Sequence, residues 1–251
     1  MTKATPQGHA KNSLLWFVCA ILSVWLALAA AWWISARLDY GYPLWYRLLA
    51  IDEHIARYAP YHPVKRDFAR LDAAAHQQAF AGIVAAVHGD TGQLARLHYH
   101  PPGGAPVRLL DDTEIRHLED VARLLRVAGW VSMAALLPWL VFMGLYSRVA
   151  PPSRRRRLGV SLGALALVAL VLVAAGPKAV FYQLHVWLFP PENPWFFYWE
   201  ESLMSTLMKA PYLFGGIAVQ IGVLALLLLA PLHWLGYRLG SMLFRRSFVR
   251  R

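Results

Sequence analysis

The sequence predicts an all-α membrane protein: four transmembrane helices with an extracytoplasmic α+β cap containing a β-hairpin. Three observations predict it. Hydrophobic residues make up 58% of the 251 and charged residues only 16%, whereas a soluble domain carries about a quarter charged residues. Four apolar windows, residues 14–34, 127–146, 158–176 and 212–234, contain no Asp, Glu, Lys or Arg. Each is close to the roughly 20 residues that a bilayer core demands. The formal charge of +11 is distributed unevenly around those windows.

That distribution gives the orientation. Lys3 and Lys11 precede the first window. Arg148 and the run Arg154-Arg155-Arg156-Arg157 lie between the second and third, and Arg238, Arg245, Arg246, Arg250 and Arg251 follow the fourth. Residues 35–120 are near balance, and residues 177–211 hold three Glu against two Lys. Excess Lys and Arg in short segments marks the cytoplasmic side, so both ends are expected in the cytoplasm of a cell-membrane protein. The basic segments read as orienting devices that also touch membrane lipids with anionic headgroups, and not as a nucleic-acid surface.

The elements follow in order. Residues 1–12 form a cytoplasmic tail and 13–34 the first transmembrane helix, too long for a cleaved signal's apolar region and therefore expected as an anchor. The single cysteine, Cys19, lies inside it as a small buried apolar residue, and no disulfide within the chain is available. Residues 35–120 are the cap. It opens with Tyr40-Gly41-Tyr42-Pro43-Leu44-Trp45, aromatics suited to the headgroup level. Val64, Phe68, Leu71, Ala75 and Phe80 predict a helix over 64–87. Residues 94–100 and 105–110 predict a β-hairpin across Pro101-Pro102-Gly103-Gly104. Asp111-Asp112-Thr113-Glu114 supplies capping residues for a helix continuing into the second span, 121–146.

Residues 147–157 are a basic cytoplasmic loop, and 158–188 a third span with an outer extension. Gly176-Pro177 should break or kink that helix. In the interfacial loop 189–211, the prolines of Phe189-Pro190-Pro191-Glu192-Asn193-Pro194-Trp195 forbid regular helix, and a short helix is expected over 199–209. Residues 212–236 form the fourth span and 237–251 a basic cytoplasmic tail.

Two of the ten histidines stand out by position. His117 lies ten residues before the second window and His185 nine after the third ends. The two helices run in opposite directions, so both imidazoles would project roughly 13–15 Å beyond the apolar spans on the same side. Histidine exchanges protons near neutral pH, and a pair can divide base and acid roles. Glu114, Glu119 and Asp120 are candidate partners for a ring N–H of His117. Tyr182, Trp187, Asn193 and Trp195 surround His185, and Asn193 could donate to a developing oxyanion. Against this stands a plainer reading, in which histidine occupies the interface through its apolar body and polar tip. His98-Tyr99-His100 puts two imidazoles on one side of a strand, two ligands only for a metal. The chain has no His-Glu-x-x-His helix and no phosphate-binding glycine loop.

Glu114-Ile115-Arg116-His117-Leu118-Glu119-Asp120-Val121 resembles the Glu-x-x-His-(Met/Leu)-x-Asp-Val motif of a known four-span family. Leu184-His185-Val186-Trp187-Leu188-Phe189 with Asn193-Pro194-Trp195-Phe196-Phe197 resembles its second motif. Ser202-Leu203-Met204 through Pro211 and the early Tyr42-Pro43-Leu44-Trp45 are similar to further stretches. The family is that of the lipoprotein intramolecular transacylases. The resemblance implies an enzyme that moves an acyl chain from the glyceryl sn-2 oxygen of a diacylglyceryl-modified lipoprotein to the α-amino group of its N-terminal cysteine. It implies that His117 and His185 carry the acid–base chemistry on the extracytoplasmic side, with no cofactor or metal. The sequence departs from the pattern in its extra prolines, in Leu184 and in Trp187. The competing readings are a non-enzymatic scaffold whose cap binds lipid or a partner protein, and a metal-dependent enzyme using His98 and His100.

Overall fold

A computed structural model describes residues 6–246, so Lys3, Arg250 and Arg251 of the two basic tails lie outside the described residues. Four helices are long and apolar enough to cross a membrane: Asn12–Ala36, Asp112–Tyr146, Arg154–Ala175 and Tyr212–Leu243. In chain order the elements are α1 (Pro6–Ala36), α2 (Tyr42–Leu48), α3 (Ile51–Tyr58), α4 (Ala73–His88), β1 (His98–Tyr99), β2 (Val107–Arg108) and α5 (Asp112–Tyr146). They continue with α6 (Arg154–Ala175), α7 (Pro177–Leu188), α8 (Leu203–Leu207) and α9 (Tyr212–Arg246). The protein is therefore an all-α membrane protein with one small antiparallel hairpin.

The chain forms two compact units. The first comprises Met1–Trp32, Ala128–Ala175 and Ile221–Arg251. Its core is Trp16, Cys19, Leu26, Trp139, Met143 and Tyr146. A polar knot sits within it: Ser23 donates to the Cys19 carbonyl at 2.8 Å and accepts from Trp139 Nε1 at 3.0 Å. Because that serine proton is used, the 3.1 Å contact to His233 Nδ1 is an N–H donated by the imidazole. Close helix approach depends on Gly240, where a Cβ would lie 2.5 Å from the Gly144 amide nitrogen. Small residues of this kind bring membrane helices together.

The second unit comprises Trp33–Val127 and Gly176–Gln220. Its core is aromatic. Tyr42 stacks on Phe80 with ring centroids 3.9 Å apart and donates to the Leu207 carbonyl at 2.7 Å. Tyr46 donates to His76 Nδ1 at 2.8 Å, and His76 Nε2 donates to the Phe68 carbonyl at 3.0 Å. Tyr40, Tyr42 and Tyr46 are thus core residues and not the headgroup anchors their sequence context implies.

Three further local expectations are corrected. The helix predicted over 64–87 is a 3₁₀ turn, Arg66–Arg70, followed by α4. Asp72 accepts from the Ala75 amide at 2.8 Å, and this cap starts the helix late. Val64 is 81% exposed while Phe68 is fully buried, so the two never share a helix face. The hairpin shrinks to two pairs, His98 with Arg108 and Tyr99 with Val107. Its first arm is instead coiled into the 3₁₀ segment Thr91–Arg96, where Asp90 accepts from the Gly92 amide at 2.9 Å. The helix expected over 199–209 is only α8, because Ser202 caps it at Ser205. The expected break at Gly176-Pro177 is present: α6 ends at Ala175, Gly176 has φ +79°, and Pro177 opens α7.

Candidate active site

The second unit brings His117 and His185 together. Their ring centroids are 6.0 Å apart with an interplanar angle of 27°. Phe189 packs against both, 4.8 Å from His117 and 5.2 Å from His185. Phe197 lies 5.8 Å from His117, and Trp195 lies 5.1 Å from His185. Tyr182 reaches the pair through Trp195, at 5.8 Å between rings. The imidazoles thus stand in an aromatic enclosure that limits water.

Local sequence explains how α5 delivers its histidine. Glu114 returns to accept from the Asp111 amide at 2.6 Å, and Ile115 donates to the Asp111 carbonyl at 2.9 Å. This is the helix-starting arrangement that an acidic residue three positions into a helix permits. The Asp111 carboxylate is engaged elsewhere, by buried Lys65 at 2.7 Å. Glu114, His117 and Asp120 fall three residues apart and are all buried, so they fan across the packed face of α5.

Glu114 accepts two further hydrogen bonds, from the Ser202 hydroxyl at 2.5 Å and the Met204 amide at 3.1 Å. Its carboxylate therefore joins α5 to the start of α8, and none of its partners is an imidazole. Asp120 accepts from the Asn193 side-chain amide and pairs with Arg123 at 3.3 Å. This fixes the proline-rich loop against α5. An amide group has two hydrogens, so Asn193 keeps a second donor.

The two histidines differ in their hydrogen-bond partners. His185 Nδ1 lies 2.8 Å from the Phe181 carbonyl. A carbonyl only accepts, so Nδ1 carries the proton and Nε2 of the neutral ring is the free base. Burial lowers the pKa of His185 and outweighs the opposing Phe181 hydrogen bond, which keeps the ring neutral at pH 7. His117 Nδ1 is buried without a hydrogen-bond partner. Such an atom is costly to keep in a core and marks a place where an incoming polar group would be welcome.

Tyr182, Asn193 and Trp195 gather at the site with Asp120, and Glu114 braces it against α8. Glu119 is partly exposed, and Trp187 is 72% exposed and stands apart from the pair. Ser202 and the phenylalanines 181, 189 and 197 were not assigned roles by sequence reasoning. Spacing could not have paired Ser202 with Glu114, since they lie on different segments. His98 is held by the Arg96 carbonyl at 2.7 Å. Among the described residues no three His, Cys, Asp or Glu side chains gather in a metal-binding cluster.

Comparison with known proteins returns one family. Residues 97–211 match the family model of the lipoprotein intramolecular transacylase Lit. The match covers a little under half of the chain and includes every candidate site residue. No curated protein and no solved structure matches.

Proposed function

We propose, proceeding from the match of residues 97–211 to the lipoprotein intramolecular transacylases, that this multi-pass membrane protein is an intramolecular O-to-N acyltransferase. Its substrate is a diacylglyceryl-modified lipoprotein, and the reaction occurs at the extracytoplasmic face. The observation that carries this reading is the pair His117 and His185, 6.0 Å apart and enclosed by aromatic rings.

The chemistry follows from the tautomer of His185. An α-amino group has a pKa of about 7.7–8.0, so one proton must leave before it is nucleophilic. That proton leaves to water; as the nitrogen lone pair then attacks the carbonyl carbon of the sn-2 ester, Nε2 of His185 takes a second proton from the nitrogen, so that the amide keeps one N–H. The tetrahedral oxyanion receives the spare N–H of Asn193. The C–O bond then breaks, and the glyceryl oxygen takes a proton relayed through the histidine pair, with His117 on the leaving-group side. An amide has formed, an ester has been lost, and the histidines are restored. Amine and ester belong to one molecule, so holding them together removes much of the entropic barrier. Trp195, Phe189 and Phe197 exclude water that would otherwise hydrolyse the ester.

Mass spectrometry of a lipoprotein N-terminus tests this, in cells with the protein, without it, and with His117→Asn or His185→Asn. An N-acylated, S-monoacyl species that requires the protein and both histidines is the expected result. An unchanged acylation pattern in all four strains would return the chain to a scaffold that binds lipid or a partner protein through its cap.

A further inference from the structure

A cavity lies wholly within the first unit, and nothing in the proposed reaction uses it. Its volume is about 730 Å³. Its walls change character along their length. On α9 the lining runs from Leu226 and Leu229 to His233 and Tyr237, one helical face. On α1 it includes Val24 and Trp16, and on α6 it includes Arg154 and Arg157. The polar ends coincide: the Tyr146 ring lies 6.2 Å from His233 and 6.1 Å from Tyr237, and Arg157 lines the same cavity. The cavity is therefore amphipathic, cationic at one end and aliphatic at the other.

Charge identifies what would fill it. All 14 Asp and Glu residues of the chain fall in the second unit. The first unit holds Arg154, Arg155, Arg156 and Arg157 in the turn that opens α6, and no Asp or Glu. Arg157 Nε is buried and has no hydrogen-bond partner. The four arginines also occupy the first turn of α6, which holds no acidic residue. There the helix dipole already favours an anion and disfavours cations. An anion from outside the chain would complement this charge. Along the rest of α6 no residue is buried, which leaves its apolar side open beside the cavity.

We infer that this cavity binds one anionic phospholipid, its phosphate held by Arg154 and Arg157 and an acyl chain lying along Val24, Leu226 and Leu229. Arginine suits phosphate because its planar fork donates two parallel hydrogen bonds. The inference is independent of the acyl-transfer chemistry, since it concerns a different unit and a binding readout.

The test is native mass spectrometry of the full-length detergent-solubilised protein titrated with dioleoyl phosphatidylglycerol and, separately, dioleoyl phosphatidylcholine. One phosphatidylglycerol should be retained in preference to phosphatidylcholine. The double variant Arg154→Gln/Arg157→Gln should bind it about tenfold more weakly, the scale of one lost charge-assisted hydrogen bond. Arg155→Gln/Arg156→Gln removes the same charge from α6 but not from the cavity wall, and should stay within about threefold. Ala230→Trp, with every arginine intact, should block binding by filling the cavity. Equal weakening by the two arginine pairs would overturn the site in favour of diffuse surface attraction. Equal affinity for the two lipids would overturn it as well, and so would displacement of phosphatidylglycerol by inorganic phosphate at matched concentration.

Discussion

Glu114 on α5 holds Ser202 at the start of α8 through a 2.5 Å hydrogen bond, with the Met204 amide joining at 3.1 Å. The carboxylate thus ties the helix bearing His117 to the loop that carries Asn193 and Trp195. Removing it leaves a hydroxyl and two amide hydrogens buried without acceptors, each costing about 1–3 kcal/mol. Glu114→Ala should therefore lower stability by at least about 3 kcal/mol and reduce N-acyl product with it. Ser202→Ala should cost about 1–2 kcal/mol. Thermal unfolding in detergent, read beside product formation, checks both. A full loss of product with an unchanged melting temperature would instead place Glu114 on the substrate.

His117 predicts a separation of stability from activity. Its Nδ1 is buried without a partner, so the ring is a liability to the folded state until substrate arrives. His117→Leu should leave stability unchanged or raise it by about 1 kcal/mol, while product falls at least about 100-fold, the usual scale of acid–base catalysis. His185→Asn should show the same loss of product without the gain, because His185 Nδ1 is satisfied by the Phe181 carbonyl. Melting temperatures and product measured on one preparation would settle it; a strongly destabilised His117→Leu contradicts the argument.

The histidine pair was legible because helix direction and span length alone put both rings at one level. The start of α5 was legible for a similar reason, since Glu114 reaches back to the Asp111 amide three residues earlier. What escaped the sequence depended on partners far along the chain. The aromatic run at Tyr40 looks interfacial until Phe80 and the Leu207 carbonyl are brought to Tyr42. The helical spacing from Val64 to Phe80 fails at Asp72, whose side chain satisfies a backbone amide and so starts a new helix. Ser202 carries no signal of its own, because its hydroxyl matters only where Glu114 meets it.

Acid should inactivate before it unfolds. Burial lowers the pKa of His185 below the usual histidine value of about 6.5, so its base form persists through neutral pH and is lost only on the acid side. Product formation should be flat from pH 7 upward with respect to this group and fall only on the acid side of the ordinary histidine value. Stability shares the sign. His54 is lowered to about 4 by burial and by neighbouring Lys209 and Arg57, and burial also lowers His62, His76 and His88. The unfolded chain takes up these protons first, so stability is full above about 6.5 and declines as pH drops toward 4. Melting temperature measured against pH checks this; a rise on acidification would contradict it.

The Asp120–Asn193 contact positions the loop by charge as well as by shape. Asn193→Asp puts two carboxylates in place of a hydrogen bond, so the loop should be driven from α5 and product lost. Asn193→Gln keeps the amide but lengthens the arm, and should lose product less. The double variant Asp120→Asn/Asn193→Asp restores one donor and one acceptor across the contact, and should recover part of what Asn193→Asp loses. No recovery would mean that Asn193 acts on the substrate alone and not through Asp120.

Packing in the first unit makes a prediction that involves no chemistry. A Cβ at Gly240 would stand 2.5 Å from the Gly144 amide nitrogen, a backbone atom that cannot swing aside. At Gly222, on the same helix and in the same unit, a Cβ meets nothing within 4 Å. Gly240→Ala should thus cost about 1–3 kcal/mol through forced separation of the two helices. Gly222→Ala should be neutral or slightly stabilising, since alanine is the better helix former by up to about 1 kcal/mol. Unfolding of the two variants side by side separates close approach from helix propensity. If propensity governed, both would gain; because backbone contact governs, only Gly222→Ala can.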